Sequence, residues 1–135
     1  MYKPNKLLIC GSRTLLDKDF IFSNLNILLS SKLNTIEYVI NGCASGVDSI
    51  VIDWCVNNNI KILKFIPDWK LYRNRAGYIR NQQMFDEGKP THLIAFQDIR
   101  DNKNGTKGTT HMINICKRNN IPTRIFYYSI INIEI

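Results

Sequence analysis

Five short apolar segments rich in β-branched residues recur along the chain. They are KLLIC (6–10), IEYVIN (36–41), IKILKFI (60–66), THLIAF (91–96) and TRIFYYSI (123–130). Each segment is almost continuously apolar and does not alternate, which is typical of strands buried on both faces of a parallel sheet. The pattern therefore predicts five strands of one mainly parallel sheet.

The segments between these strands have helical length. Each begins near a residue that can cap a helix and ends near an asparagine, glycine or proline stop signal. The predicted helices run from Asp17 to about Leu33, from Ser45 or Asp48 to about Asn57, from about Asn74 to Glu87, and over about 107–119. The alternation of strand and helix predicts a three-layer α/β sandwich with right-handed crossovers.

The simplest doubly wound strand order is 3-2-1-4-5, with the topological switch point between the first and fourth strands. Ligands bind such sheets beyond the carboxyl ends of the strands at the switch point. The segment 123–135 is longer than one strand needs. Its end can form a further strand or an interface with another subunit, because an exposed apolar edge favours self-association.

Length and composition support one domain over residues 1–135. With 44% apolar residues, the chain can fill a single core and is too short for two ordinary domains. No run reaches the roughly 18 uncharged apolar residues of a membrane span, and no signal peptide is recognisable, so we expect a cytoplasmic location. The four cysteines lack a CxxC pair or a histidine cluster, and we expect free buried thiols and no metal site.

The formal net charge of +7 indicates an anionic partner or a generally basic surface. Lysine and arginine are dispersed along the chain, and no basic stripe contains the interleaved aromatic residues of a groove for single-stranded nucleic acid. Nucleic acid is therefore the less favoured anionic partner.

Three loops at the expected carboxyl edge of the sheet contain glycine and small hydroxyl residues directly before a helix. One such loop is explained by ordinary turns and caps, but three at one edge favour a phosphate site built from open N–H groups and helix dipoles. The loops are CGSR (10–13), NGCASGVD (41–48) and QDIRDNKNGTKGTT (97–110). Their candidate ligand-binding residues are Gly11, Ser12, Arg13, Gly42, Cys43, Ala44, Gly46, Asp48, Gly105, Lys107, Gly108, Thr109 and Thr110.

A second group of candidates lies in and before the third predicted helix. Arg73 and Arg75 lie at its start, where the helix dipole disfavours cations unless an anion is near. Arg80 lies on an otherwise apolar stripe, and an ion pair with an acid such as Asp48, a snorkelling side chain or a ligand contact would each account for it. The candidates here are Trp69, Arg75, Gly77, Arg80 and Asn81, with Trp69 able either to stack on a base or to pack against the fold.

Several motifs, in their order and spacing, resemble one known group of proteins. They are GSR (11–13), G-x-A-x-G-x-D (42–48), IPDWK (66–70), AGYIRNQQM (76–84) and GTKGTTHM (105–112). With these motifs the chain resembles the SLOG superfamily, a Rossmann-like group that includes the LOG phosphoribohydrolases and DprA, and it is most similar to the small YspA-like members. The resemblance implies a Rossmann-like fold, a nucleotide-type ligand and, since LOG proteins are dimers, a homo-oligomer.

The chain departs from the LOG enzymes at informative positions. Those enzymes carry an arginine-lysine pair on a helix and a PGGxGTxxE loop; Arg80 matches the arginine, and Asn81 replaces the lysine. Gly108 and Thr109 match the loop, but Met112 stands where the enzymes have glutamate, and the PGG start is missing. Cleavage of an N-glycosidic bond needs a carboxylate near the anomeric carbon. We therefore expect phosphate binding without LOG-type hydrolysis, and we assign no catalytic residue.

Three functions stay open. The favoured one is non-catalytic binding of a nucleotide-derived small molecule, an ADP-ribose-like or cyclic nucleotide signal, by a sensor or sequestering protein without a cofactor. Compact SLOG relatives occur in mobile elements and phages, where sequestration in the host cytoplasm would blunt a host defence. The alternatives are a nucleotide N-glycosidase or phosphoribohydrolase whose carboxylate has moved to Asp48, Asp98 or Asp101, and a DprA-like binder of single-stranded DNA.

Overall fold

The computed structural model describes residues 4–31 and 35–129. In chain order the elements are β1 (Asn5–Gly11), α1 (Lys18–Ser31), β2 (Ile36–Asn41), α2 (Val47–Asn57), β3 (Ile62–Lys64), α3 (Trp69–Tyr72), a 3₁₀ turn (Arg73–Arg75), α4 (Ala76–Gly88), β4 (His92–Asp98), α5 (Lys107–Arg118) and β5 (Thr123–Tyr128). The strands form one parallel sheet in the order β3-β2-β1-β4-β5. The predicted α/β class, five-stranded parallel sheet and strand order are confirmed. The predicted additional strand falls on residues that the structure does not describe, except at Ser129.

The sheet is buried on both faces, which explains its continuously apolar strands. Along β1, Leu7 and Ile9 belong to one core cluster, which also contains residues of α1 and α2. Leu8 and Cys10 belong to the other cluster, with residues of α4 and α5. Successive side chains of one strand thus fill two separate cores, and the second core underlies the helices that border the site.

Several boundaries differ from the sequence-based prediction. Asp17 caps α1 as predicted, with its Oδ1 accepting from the Phe20 N–H at 3.1 Å. The helix predicted from about Asn74 to Glu87 corresponds to the end of the 3₁₀ turn and α4, whereas the short α3 before it was not predicted. The positive φ of Arg73 (54°) separates α3 from the turn. The third strand is shorter than predicted; it is an edge strand that pairs only with β2, and Lys61 and Lys64 lie at its ends. Short, charged edges protect a sheet from pairing with other chains.

Two further expectations concern thiols and membranes. All four cysteines are free; Cys10, Cys55 and Cys116 are buried as expected, whereas Cys43 is only half-buried because it lies in the loop before α2. Among the described residues, no helix has the length and apolar character needed to cross a bilayer.

Candidate functional site

A cavity of about 310 Å³ opens beyond the carboxyl end of β1, beside β4. This is the switch point of the sheet, where the strand order reverses. The walls are formed by the loops after β1 and β2, by the α3–α4 region and by the first turns of α5. Its volume is near the lower end of the range for small-molecule pockets, about 300–1,000 Å³.

Ten of the candidate residues from the sequence line this cavity: Gly11, Arg13, Ala44, Asp48, Trp69, Gly77, Arg80, Asn81, Gly108 and Thr109. The other eight lie outside its lining: Ser12, Gly42, Cys43, Gly46, Arg75, Gly105, Lys107 and Thr110. Most of this second group shape the loops or hold lining residues in place.

Ser12 and Gly46 fix the loops on either side of the cavity. The buried Ser12 Oγ accepts from the Asp98 N–H at 2.9 Å and lies 3.1 Å from Thr106 Oγ1. Gly46 has φ 74°, and a Cβ on it would lie 2.4 Å from the Arg13 carbonyl oxygen. The structure therefore requires glycine at position 46 for the close approach of two backbones.

Gln97 holds the loop before α5. Its Oε1 accepts from the Thr106 N–H at 2.9 Å, and its Nε2 donates to Thr110 Oγ1 at 3.0 Å. Gly105 has φ 77°, and a Cβ there would lie 2.4 Å from the Gln97 side chain. Gly105 and Thr110 thus position this loop against β4, while Lys107 is exposed.

Asp48 is a buried acid with an unmet hydrogen-bonding capacity. Only 4% of the residue is exposed. Its Oδ2 accepts from the Ala44 N–H at 3.0 Å, but its buried Oδ1 has no hydrogen-bond partner. Burial raises the pKa of Asp48 to about 6, against the lowering effects of the Ala44 hydrogen bond and the Arg80 charge. An unsatisfied buried carboxylate oxygen is costly for a free protein.

Arg80 enters the same cavity from α4 and is 8% exposed. Its Nη1 donates to the Gly42 carbonyl and its Nε donates to Asn81 Oδ1 at 3.0 Å. Nη2 has no hydrogen-bond partner among the described residues. The predicted alternative of an Arg80–Asp48 ion pair is not found, since the single salt bridge of the described residues joins Asp98 and Arg100. Burial lowers the pKa of Arg80, and the charge of Asp48 opposes this effect.

Asn81 connects α4 to α5. Its Nδ2 donates to the Gly108 carbonyl at 3.1 Å and lies 3.1 Å from His111 Nδ1. Because an amide nitrogen only donates, His111 Nδ1 must accept, which requires neutral imidazole with its proton on Nε2. Burial lowers the pKa of His111, with a smaller effect of the Arg118 charge in the same direction. The Asn81 amide therefore holds both Arg80 and the start of α5.

The first turn of α5 presents free backbone donors at the cavity. Thr106 precedes the helix, and its side chain makes no capping hydrogen bond to it. The N–H groups of Lys107, Gly108 and Thr109 have no partner among the described residues. A Cβ on Gly108 would meet no atom within 4 Å, so the backbone is open to the cavity at this point. Free N–H groups at a helix start favour an anion.

Asp98, considered above as a relocated catalytic carboxylate, instead forms hydrogen bonds that hold neighbouring loops. Its carboxylate accepts from Thr14 Oγ1 at 2.6 Å and from Arg100 Nε and Nη2 at 3.0 and 2.8 Å. These hydrogen bonds, first that of Arg100, hold the pKa of Asp98 well below its usual range. Neither Asp98 nor the exposed Asp101 lines the cavity. Of the acids considered as a relocated carboxylate, only Asp48 does.

We expect Asp98→Ala to lower the free energy of unfolding by about 1.5–3 kcal/mol, because it removes charge-assisted hydrogen bonds to Arg100 and Thr14. Urea denaturation at neutral pH measures this loss. Asp101→Ala is the matched control, since Asp101 is exposed and has no described hydrogen bond. Equal stabilities of the two variants would contradict the assignment.

Seven lining residues were not among the candidates: Cys10, Thr14, Asn74, Tyr78, Met84, Thr106 and Met112. A sequence signal existed for Thr106, because it is a hydroxyl residue directly before a helix. No such signal marks Tyr78, whose contribution depends on how α4 lies against α5.

One comparison with known proteins places the sequence in a family. The sequence model described as YAcAr, the YspA, cpYpsA-related SLOG family, matches residues 5–72, which is just over half of the 135 residues. The match covers β1 to α3; the structure then brings α4 and α5 to the same cavity. Searches of curated proteins and of solved structures found no match. The family match indicates a nucleotide-related ligand-binding fold, and the chain belongs to the YspA, cpYpsA-related SLOG family.

Proposed function

We propose that this protein binds a nucleotide-derived small molecule, of the ADP-ribose-like or cyclic nucleotide kind, without cleaving it, as a sensor or sequestering protein. The observation that carries the proposal is the buried Asp48 Oδ1, which has no hydrogen-bond partner, in the same cavity as Arg80, whose Nη2 makes no hydrogen bond to the described residues. The unpartnered Asp48 oxygen is costly in the free protein, and a ligand with hydroxyl and phosphate groups would give both atoms a partner.

The two ends of such a ligand match different parts of the cavity. Phosphate oxygens accept from the free N–H groups of the α5 first turn and from the Arg80 guanidinium, which favours planar, charge-assisted contacts. Sugar hydroxyls donate to the Asp48 carboxylate, which is mainly ionised above its pKa of about 6. Binding is therefore expected to weaken as the pH falls below about 6.

The residue at position 112 supports binding without hydrolysis. Met112 lines the cavity and is 1% exposed, and its thioether can neither stabilise an oxocarbenium-like charge nor activate water. The specific observation in favour of an N-glycosidase is Asp48, because a raised pKa in a cavity is typical of acid–base residues. Release of free base from nucleoside monophosphates, lost in Asp48→Asn, would favour the enzyme over the binding protein.

Calorimetric titration with nucleoside monophosphates, cyclic nucleotides and ADP-ribose tests the proposal. We expect Arg80→Ala to weaken the tightest interaction by about 1.5–3 kcal/mol, or about 10- to 150-fold, because a desolvated charge-assisted contact is lost. Arg75→Ala is the control, since this exposed arginine lies outside the cavity lining.

Circular dichroism and thermal unfolding of each variant separate a loss of contact from a loss of fold. Binding no tighter than high micromolar for every member of the panel would overturn the proposed function. So would equal affinities of the wild type and a folded Arg80→Ala variant.

A further inference from the structure

Two exposed aromatic residues stand at the cavity that holds Asp48 and Arg80. Trp69 is 46% exposed and Tyr78 is 43% exposed, and both contribute to the lining. They are the aromatic side chains of this lining; the buried polar groups, Asp48, Arg80 and Asn81, are each at most 8% exposed. The cavity thus combines a polar interior with an aromatic, solvent-facing part.

Trp69 is held in place by local structure. Asp68 caps α3, with its Oδ1 accepting from the Leu71 N–H at 3.0 Å, and Trp69 is the first residue of that helix. The Cη2 atom of the indole lies 3.6 Å from the point that a Cβ on Gly77 would occupy. The ring therefore lies close to the start of α4, with Gly77 leaving space beside it. An exposed indole with a defined position is suited to stacking.

Arg13 covers a face of this ring in the free protein. Its guanidinium carbon lies 5.5 Å from the centroid of the Trp69 ring. Arg13 is exposed, and its guanidinium has no hydrogen-bond or ion-pair partner among the described residues. An exposed cation–π contact is weak, so a planar ligand can displace the guanidinium at little cost. Arginine also stacks on the other face of a planar base.

We propose that Trp69 and Arg13 form a base-binding subsite, in which a nucleobase stacks on the indole and the displaced guanidinium covers its outer face. The proposal rests on the proposed function and narrows it, because it makes the planar base a required part of the ligand. The sugar and phosphate then extend toward Asp48, Arg80 and the first turn of α5. A sugar phosphate without a base would contact only these interior groups and would leave the Trp69 ring without a stacking partner.

The tryptophan content of the chain provides a direct test. The chain has two tryptophans; Trp54 is 1% exposed and donates from Nε1 to Asn26 Oδ1 at 2.8 Å, so ligands cannot reach it. Wild-type protein is titrated with AMP, GMP, ADP-ribose and ribose 5-phosphate, and tryptophan fluorescence is recorded. We expect nucleotides to quench Trp69 and ribose 5-phosphate to bind more weakly without quenching it.

Variants at position 69 separate the base from the sugar phosphate. Trp69→Leu is expected to weaken nucleotide binding by about 10- to 100-fold, the range for loss of one base–aromatic stack, with little effect on ribose 5-phosphate. Trp69→Phe keeps an aromatic face and is expected to retain most of the affinity. Tyr127→Leu is the control, since Tyr127 is 58% exposed on β5 and lies outside the cavity lining.

The outcomes distinguish this subsite from the proposed function. If Trp69→Leu binds nucleotides as tightly as the wild type, or if ribose 5-phosphate binds as tightly as AMP, the base subsite is wrong while binding of the sugar phosphate stands. If neither nucleotides nor ribose 5-phosphate bind the wild type, the proposed function fails and the subsite fails with it.

Discussion

Asp48→Asn is expected to make the free protein more stable and to make ligand binding weaker. Burial raises the pKa of Asp48 from 3.8 to about 6, so the folded state holds this proton more tightly than the unfolded state does. Between these two values, the stability contributed by Asp48 falls as the pH rises. Above pH 6 the full cost of burying the charge is present, about 2–3 kcal/mol at 1.36 kcal/mol per pKa unit. Asparagine keeps an acceptor for the Ala44 N–H and removes the charge.

The measurement is urea denaturation of wild type and Asp48→Asn between pH 4 and 8. We expect the stability difference in favour of the variant to grow between about pH 4 and pH 6 and then to stay constant. Taking the difference between the two proteins removes titrations that they share, such as those of Asp98 and His111. Asp53→Asn is the matched control, because Asp53 is an exposed acid of the same helix.

Calorimetry on Asp48→Asn completes this prediction, because the gain in stability should be accompanied by loss of the hydroxyl acceptor in the cavity. A variant with wild-type stability at every pH would show that the carboxylate is not desolvated. A variant that is more stable and still binds with full affinity would show that Asp48 is no part of the binding site.

Gly46→Ala is expected to be the most destabilising of the substitutions considered, by about 3–5 kcal/mol from backbone strain and overpacking together. Gly46 has φ 74° and ψ −125°, a conformation that alanine rarely adopts. The new Cβ would also lie 2.4 Å from the Arg13 carbonyl oxygen, and this neighbour is backbone that cannot rotate away. The loss is a large part of the about 5–15 kcal/mol that stabilises a domain.

Gly108→Ala is the matched control for that effect. It is expected to leave the stability of the fold intact and to weaken ligand binding. Its Cβ would meet no atom within 4 Å, and alanine is the better helix former by up to about 1 kcal/mol. We therefore expect equal or greater stability, together with about tenfold or more loss of ligand affinity, since Gly108 lines the cavity and a methyl group there takes up space next to the free N–H groups. Thermal unfolding and calorimetry on both variants check the pair. Similar stability of the two variants would contradict the strain assigned to Gly46.

The architecture could be predicted because each strand is a continuous apolar segment and each helix has a cap or a stop. The separate short helix α3 could not be predicted, since the positive φ of Arg73 that ends it is uncommon for a residue other than glycine and has no signature in the sequence. The length of β3 could not be predicted either, because the apolar residues of the segment 60–66 extend beyond the three residues that pair with β2.

Part of the site could also be predicted from local sequence patterns. Glycine and hydroxyl residues before helices mark the loops, so the cavity wall at Gly108 and Thr109 was among the candidates. Sequence alone could not distinguish Gly46, which holds two backbones together, from Gly108, which opens onto the cavity. It also could not show that Arg80 and Asp48 enter one cavity without pairing, because this depends on the angle between α4 and α2.

The burial of Met112 bears on how readily evolution could move this chain between binding and catalysis. Met112 is 1% exposed, so a glutamate at this position, the residue type that the resemblance assigns to LOG enzymes, would be a second buried acid in the cavity that holds Asp48. A second buried acid would raise the pKa values of both carboxyl groups, and the buried cation already in this cavity that could offset the effect is Arg80. Asn81, where those enzymes have lysine, supplies no second positive charge to this cavity and already holds Arg80, Gly108 and His111. A glutamate at position 112 would therefore compete with a ligand phosphate for Arg80, so the residue type at this one position decides what the arginine is available to hold.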